Sequence, residues 1–177
     1  MKFTLKNGVV VEIREVLPAD KPRDFRDFIG KIIRERPEPF ILTDRVPSVK
    51  EEATWLASVK DKVKKRQNVM LVAWHNGKLV GVTDGRRGPN RDRDKVGLGL
   101  SIAREYRGQG LGKKLLVEIV KLTKKRLKPQ IIYLTVVGGN EIAQRLYEKV
   151  GFVKIAALPK WQKIRGKYWD FIYMRLK

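Results

Sequence analysis

A glycine-rich stretch between Glu105 and Lys114 has the residue types and spacing that point most directly to chemistry. Glycines stand at positions 108, 110 and 112, and two lysines follow the last of them. Because glycine has no Cβ, backbone amides can close around an anion there, and a helix that starts at such a loop leaves its first amides unpaired. The stretch therefore predicts a phosphate-binding loop at the start of a helix.

Two common phosphate loops do not fit this spacing. A dinucleotide-binding turn needs a glycine three residues after Gly110, where the chain has Lys113. A P-loop needs serine or threonine after Gly112-Lys113, and Lys114 occupies that place. The phosphate-bearing ligand must be inferred from the rest of the chain.

The composition argues against several other chemistries. The chain has no cysteine, so we expect no disulfide, no thiolate nucleophile and no cysteine-based metal site. Its single histidine, His75, cannot form a histidine cluster. No metal is expected.

The charge is strongly unbalanced, with 40 Lys and Arg against 19 Asp and Glu, a net charge of +21. Such an excess favours polyanionic partners such as RNA, a ribosome-like surface or a multiply charged cofactor. An alternative is a thermophilic protein stabilised by a charged surface, which the absence of cysteine also suits.

The length of 177 residues predicts one domain over residues 1–177. No apolar run is long enough to cross a bilayer, and the N-terminus lacks a signal-peptide pattern, so we expect a cytoplasmic protein with no membrane partner.

Hydrophobic periodicity predicts seven strands and four helices. The Asn76-Gly77 pair predicts a tight hairpin, and Ser48 to Glu51 has capping-box spacing at a helix start. The stretch 85–94 is predicted to be a loop of solvated charges. The predicted strands are 9–16, 69–74, 78–83, 96–103, 131–137, 152–158 and 168–176, and the predicted helices lie around 25–33, 48–63, 111–128 and 142–150.

This order of elements, with Arg107-x-x-Gly110-x-Gly112 and the segment NEIAQRLYEKVGF at 140–152, resembles the GCN5-related N-acetyltransferases over nearly the whole chain. The resemblance implies an α/β fold: a central mixed, mostly antiparallel sheet of about seven strands, flanked by four helices and splayed at the cofactor site. It also implies an enzyme that moves the acetyl group of acetyl-CoA directly to a primary amine, which would be a protein N-terminus, a lysine or a small amine.

The resemblance also implies which residues bind acetyl-CoA. In this family the glycine loop wraps the pyrophosphate, and the preceding strand offers backbone groups to the pantetheine arm. Asn140 would add a hydrogen bond, although asparagine there also suits a plain helix N-cap. The cofactor-binding residues so implied are Leu100, Ser101, Ile102, Arg107, Gly108, Gln109, Gly110, Leu111, Gly112, Lys113, Asn140 and Tyr147.

Tyr147 is the predicted catalytic residue. Helical spacing alone favours a tyrosine packed in the core. The resemblance implies instead that Tyr147 is the general acid that gives a proton to the departing CoA thiolate.

A general base is harder to assign. The positions where relatives often carry a carboxylate hold Gly97 and Thr135. Asp84 and Glu105 are the nearest carboxylates in sequence, but each is more simply interpreted as a solvated residue at a loop or strand end. We therefore expect a water-mediated route or an amine that is already neutral.

Two other functions stay open. The protein could be a basic RNA- or ribosome-binding protein that uses an acetyltransferase scaffold without catalysis, or an acyltransferase for a longer acyl chain. The resemblance places the loop 85–94, the second helix with Trp55 and the closing segment 161–171 around the acceptor pocket.

Overall fold

The computed structural model describes residues 1–35, 43, 45–164 and 166–177. The helices are α1 (Pro22–Ile33), α2 (Val49–Lys64), α3 (Leu111–Leu127) and α4 (Glu141–Glu148). The strands are β1 (Lys2–Thr4), β2 (Val10–Glu15), β3 (Asn68–His75), β4 (Lys78–Arg87), β5 (Lys95–Ile102), β6 (Ile131–Val137), β7 (Phe152–Ile164) and β8 (Lys167–Leu176).

One sheet holds the eight described strands in the order β1-β2-β3-β4-β5-β6-β8-β7. Its neighbours pair antiparallel, except for the parallel pair of β5 and β6. This arrangement confirms the predicted mixed, mostly antiparallel sheet with four helices. The predicted strand number was one too low, because β1 has only three residues and gives almost no periodic signal.

Helices cover both faces of the sheet. On one face, α3 buries Leu111, Leu115, Leu116 and Ile119 completely against strands β3, β4 and β5. Each such side chain contributes about 1.5–3 kcal/mol relative to an exposed one. The opposite face is covered by α1 and α2, which pack apolar side chains onto Met70 and Val72.

Two local sequence signals are confirmed. Asn76 and Gly77 have φ values of 47° and 71°, as a type I′ turn between β3 and β4 requires. At the start of α2, Ser48 and Glu51 form both hydrogen bonds of a capping box. Within the described residues, no helix is long and apolar enough to cross a membrane.

The predicted loop at 85–94 begins too early. β4 continues to Arg87, so the first residues of that stretch belong to the sheet. A Cβ at Gly85 would lie 2.9 Å from the Thr123 side chain, 3.0 Å from Val69 and 3.1 Å from Leu98. Gly85 is thus a position of close packing between β4 and α3, and the loop starts at Gly88.

β7 also extends beyond its predicted end at residue 158. The register with β8 shifts between Leu158 and Gln162, around Pro159 and Lys160. Lys160 has a φ of 49°, and its amide donates to Asp170 Oδ1 at 3.0 Å. β7 is an edge strand, where a proline and a bulge can interrupt the pairing without ending the strand.

Candidate active site

The sheet opens between β5 and β6. Their parallel pairing runs from Lys95 with Ile131 to Leu98 with Leu134. Beyond these residues β5 continues to Ile102 and β6 to Val137, without pairing to each other. β5 stays paired with β4 as far as Ile102, so the predicted splay exposes one edge of β5.

The predicted residues Leu100, Ser101 and Ile102 lie on this open edge. The side chains of Leu100 and Ile102 pack against the core on the α3 side. Side chains and backbone groups both alternate along a strand. Ser101 therefore faces the other side of the sheet and its backbone pairs with β4, whereas the backbone groups of Leu100 and Ile102 point to the gap. An extended ligand with amide groups can pair with such an edge as an added strand would.

The glycine loop leads from β5 into α3. Gly108 and Gly110 have φ values of 71° and 91°, and apart from its chain neighbours no atom of the described residues lies within 4 Å of a Cβ built on Gly108. The Lys114 amide donates to the Gly110 carbonyl at 3.1 Å. The amides of the three preceding helical residues therefore lack an intrahelical acceptor, and they lie at the positive end of the α3 dipole.

Two described contacts hold this loop in place. The Lys6 amide donates to the Gln109 carbonyl at 3.2 Å. A Cβ on Gly110 would lie 3.8 Å from the ring of Phe3. The N-terminal segment, with the short strand β1 that sequence patterns did not reveal and the turn after it, therefore supports the predicted anion-binding loop.

Gly112 has a packing role. A Cβ at Gly112 would lie 3.1 Å from Leu146 Cδ2 of α4 and 3.2 Å from Ile102 Cδ1 of β5. The missing side chain lets the start of α3 approach both elements. The loop, the open edge of β5 and α4 thus surround one gap.

Arg107 is engaged within the protein. Its Nη1 and Nη2 donate to the two carboxylate oxygens of Glu35 at 2.7 and 2.9 Å, and its Nε donates to the Ile102 carbonyl at 2.8 Å. Its amide donates to the Arg104 carbonyl at 3.2 Å. Arg107 thereby ties the loop to the segment after α1, a contact across 72 residues that spacing along the chain could not reveal.

Asn140 is the N-cap of α4, since its Oδ1 accepts a hydrogen bond from the Ala143 amide at 3.2 Å. The capping interpretation is confirmed. The cap uses only the carbonyl oxygen of the carboxamide, so the nitrogen keeps two donor hydrogens for another partner.

Tyr147 lies on α4 and is only 8% exposed. Its ring packs beside Phe152 with the centroids 6.2 Å apart. Burial raises the pKa of the Tyr147 phenol to about 12. Among the described residues no hydrogen-bond partner is found for its hydroxyl.

Asp84 differs from its predicted solvated state. It lies within β4, opposite Gly99 of β5, and its side chain is 19% exposed. Burial raises the pKa of the Asp84 carboxyl, while the charge of Arg86 lowers it. Glu105 is exposed, as expected.

The two usual base positions, Gly97 and Thr135, carry no carboxylate, and Gly97 lies where β5 is still paired with β6. A Cβ on Gly97 would lie 3.1 Å from the ring and hydroxyl of Tyr133, so a larger residue there would displace that ring. Among the described residues, no group of three or more histidine or acidic side chains could hold a metal ion.

Comparisons with known proteins agree with this geometry. Among curated proteins, the L-amino acid N-acetyltransferase AaaT of Escherichia coli is 27% identical over 144 residues, which are 80% of this chain and 86% of that protein. Among solved structures, an acetyltransferase of the GNAT family from Streptococcus pneumoniae has a TM-score of 0.82 at 25% identity and covers 93% of this chain and 98% of that one.

A second solved structure, yncA from Salmonella typhimurium with its cofactor acetyl-CoA, has a TM-score of 0.80 at 21% identity. It covers 94% of this chain and 93% of that one. At 21% sequence identity, the similarity to yncA is evidence for the fold alone. The sequence profile of the acetyltransferase (GNAT) family matches residues 30–152, more than half of the chain, and the protein therefore belongs to that family.

Proposed function

We propose that this protein is a single-domain N-acetyltransferase that moves the acetyl group of acetyl-CoA directly to a primary amine. The observation that carries the proposal is the gap where β5 and β6 separate, with unpaired strand edge along one side and the glycine loop at its end. Such a gap suits a ligand that combines an extended amide-containing arm with a pyrophosphate.

The residues around the gap have separate binding roles. The amides of residues 108–113 hold the pyrophosphate. Along the segment Leu100, Ser101 and Ile102, the backbone groups of Leu100 and the amide of Ile102 pair with the pantetheine amides, because Ser101 pairs with β4 and the Ile102 carbonyl accepts from Arg107. The Asn140 carboxamide nitrogen donates from the start of α4. The contacts of Arg107 with Glu35 and Ile102 support a role in which Arg107 fixes the shape of the loop.

Tyr147 protonates the departing sulfur. A phenol with a pKa of about 12 keeps its proton throughout the physiological range, so the donor is always loaded. Burial that disfavours a phenolate also disfavours a bare thiolate in the same gap, which favours proton transfer as the carbon–sulfur bond breaks. With no cysteine in the chain, transfer to the amine proceeds without a thioester to the enzyme.

The acceptor is tested with a panel of amines. The purified protein is incubated with acetyl-CoA and L-amino acids, a peptide with N-terminal alanine, a lysine peptide or spermidine, and CoA release is followed together with the mass of the product. We expect one class of amine to gain 1 acetyl group per CoA released. No acetylation of any amine would contradict the proposed activity.

A second candidate function rests on the β7–β8 hairpin. Trp161 and Tyr168 are exposed there, and Lys163 and Lys167 lie over the rings of Tyr168 and Trp169 at 5.4 and 4.2 Å. Exposed aromatic rings next to cations suit stacking on bases and contact with phosphates. A binding protein without catalysis would bind an RNA fragment and release no CoA.

A further inference from the structure

Asp84 lies next to the point where the sheet opens. It is paired across β4 and β5 with Gly99, and Gly99 directly follows Leu98, the last residue of β5 that pairs with β6. An acetyl group at the closed end of the gap would therefore lie one strand away from this carboxyl.

The glycine at position 99 makes room for the carboxyl. A Cβ built on Gly99 would lie 2.6 Å from Asp84 Oδ1 and 3.1 Å from Arg86 Nη2. Any larger residue would displace the carboxylate or the guanidinium. Gly99 thus allows the Asp84 carboxyl to lie across β5, toward the gap.

The carboxyl is accessible from one side. Asp84 and Arg86 are on the same face of β4, and Arg86 Nε lies 2.7 Å from Asp84 Oδ2. The Arg86 side chain is 64% exposed, against 19% for Asp84. The pair therefore connects the solvent to a largely buried carboxyl on the face of the sheet that α1 and α2 cover.

Few charged groups are found around Asp84 among the residues that the structure describes. Met70 faces it from β3, and from β6 the ring of Tyr133 lies over Gly97, two residues from Gly99. On α2, which packs on the same face, Glu52 is buried, and burial is the one cause that raises its pKa. Arg86 is the charged group that acts on the pKa of Asp84.

We propose that Asp84 is the general base that takes the proton of the acceptor ammonium, and that Gly99 positions its carboxyl for this step. The proposal rests on the proposed acetyltransferase activity. It replaces the expectation of a site without a base, which followed from Gly97 and Thr135.

The protons balance in this scheme. One of the three ammonium protons passes to Asp84 and from there to solvent, and the nitrogen then attacks the thioester carbonyl as the carbon–sulfur bond breaks. A second proton replaces the one that Tyr147 gives to sulfur, and the third stays on the amide. The raised pKa makes Asp84 a stronger base than an exposed aspartate.

The first test is the pH dependence of kcat/KM, measured with the panel amine that reacts fastest. Asp84→Asn should lose about 100- to 1,000-fold at neutral pH, within the usual range for a general base, and recover as the pH approaches the amine pKa. Arg86→Gln should keep an acid limb but move it to higher pH, because the Arg86 charge lowers the Asp84 pKa. Glu105→Gln, which removes an exposed carboxylate, is the matched control and should leave the profile unchanged.

Three results of these pH measurements would contradict the role proposed for Asp84. If the pH profile of kcat/KM for Asp84→Asn has the same shape as that of the parent, the assignment is wrong. It is also wrong if the fall in activity at acid pH disappears in Glu52→Gln instead. No turnover of any amine by the parent protein would overturn the acetyltransferase proposal, and this one with it.

A second test separates catalysis from structure by changing the nucleophile. Hydroxylamine is unprotonated at neutral pH and needs no base, so Asp84→Asn should acetylate it within about 3-fold of the parent rate while losing the alkylamine reaction. An equal loss with both nucleophiles would mean that Asp84 only supports the structure. Gly99→Ala should reproduce the selective loss with CoA affinity retained, because its Cβ displaces the carboxyl.

A third test measures the stability of the protein and needs no acceptor amine. A carboxyl whose folded-state pKa is raised gives stability that is present below its ordinary pKa and lost as the pH rises through the folded value. Asp84→Asn should therefore become more stable relative to the parent as the pH rises from acid to neutral, measured by urea unfolding. A stability difference that moves the other way would contradict a buried, disfavoured charge at Asp84.

Discussion

The hydroxyl of Tyr147 distinguishes a reacting group from a packing group. A tyrosine kept only for its ring contact with Phe152 would be replaced by phenylalanine at little cost, since its hydroxyl has no hydrogen-bond partner among the described residues. A general acid would lose its function in the same replacement. One substitution therefore tests both interpretations.

We predict that Tyr147→Phe lowers kcat by roughly 10- to 1,000-fold, because the departing sulfur loses its proton donor. The affinity for acetyl-CoA and the melting temperature should change little. Steady-state kinetics, calorimetry with CoA and thermal unfolding measure the three quantities. Normal turnover in Tyr147→Phe would mean that Tyr147 is only a core residue.

At the level of helices and strands, local signals were sufficient for most of the fold. The Asn76-Gly77 turn, the capping box at Ser48 and the glycine loop all depend on neighbours within four residues, which the sequence displays. The burial of Asp84 could not be predicted in this way, because it depends on Gly99, fifteen positions further along and on another strand. The pairing of Arg107 with Glu35 escaped prediction for the same reason.

A further prediction concerns CoA binding by the glycine loop at the N-terminus of α3. Gly110→Val should weaken CoA binding at least 10-fold, since a valine at a φ of 91° must shift the backbone whose amides we propose to bind the pyrophosphate. Gly166→Val, at a φ of 84° in the β7–β8 turn, introduces similar strain away from α3 and should leave CoA affinity unchanged. Calorimetry with CoA compares the two variants, and equal affinity in both would contradict the loop assignment.

For the whole molecule, we predict that the net charge of +21 affects encounter with partners and stability more than the chemical step. Some of the positive charges are already paired with carboxylates, including Arg14 with Asp20 and Arg126 with Glu15. Exposed charges act over about 10 Å at 0.1 M salt, and higher salt screens them.

We therefore predict that raising NaCl from about 0.05 to 0.5 M weakens binding of an RNA fragment by at least 100-fold, because released counterions drive that binding. Over the same range of NaCl, the kcat at saturating acetyl-CoA for a small amine without a charged side chain should change less than 3-fold. Fluorescence anisotropy measures the binding of the RNA fragment, and CoA release measures kcat. A parallel fall in kcat would place the surface charges at the acceptor site itself.

The two ends of the sheet also bear on how the protein behaves at high concentration. Open strand edges invite pairing between molecules, which is a common start of aggregation. Here one edge is the three-residue strand β1, and the other is β7, which Pro159 and its bulge interrupt and which carries lysines along its length. Neither edge offers a long, flat template, so the irregularity that hid part of β7 from sequence patterns also helps to keep a large sheet from adding strands of a neighbouring molecule.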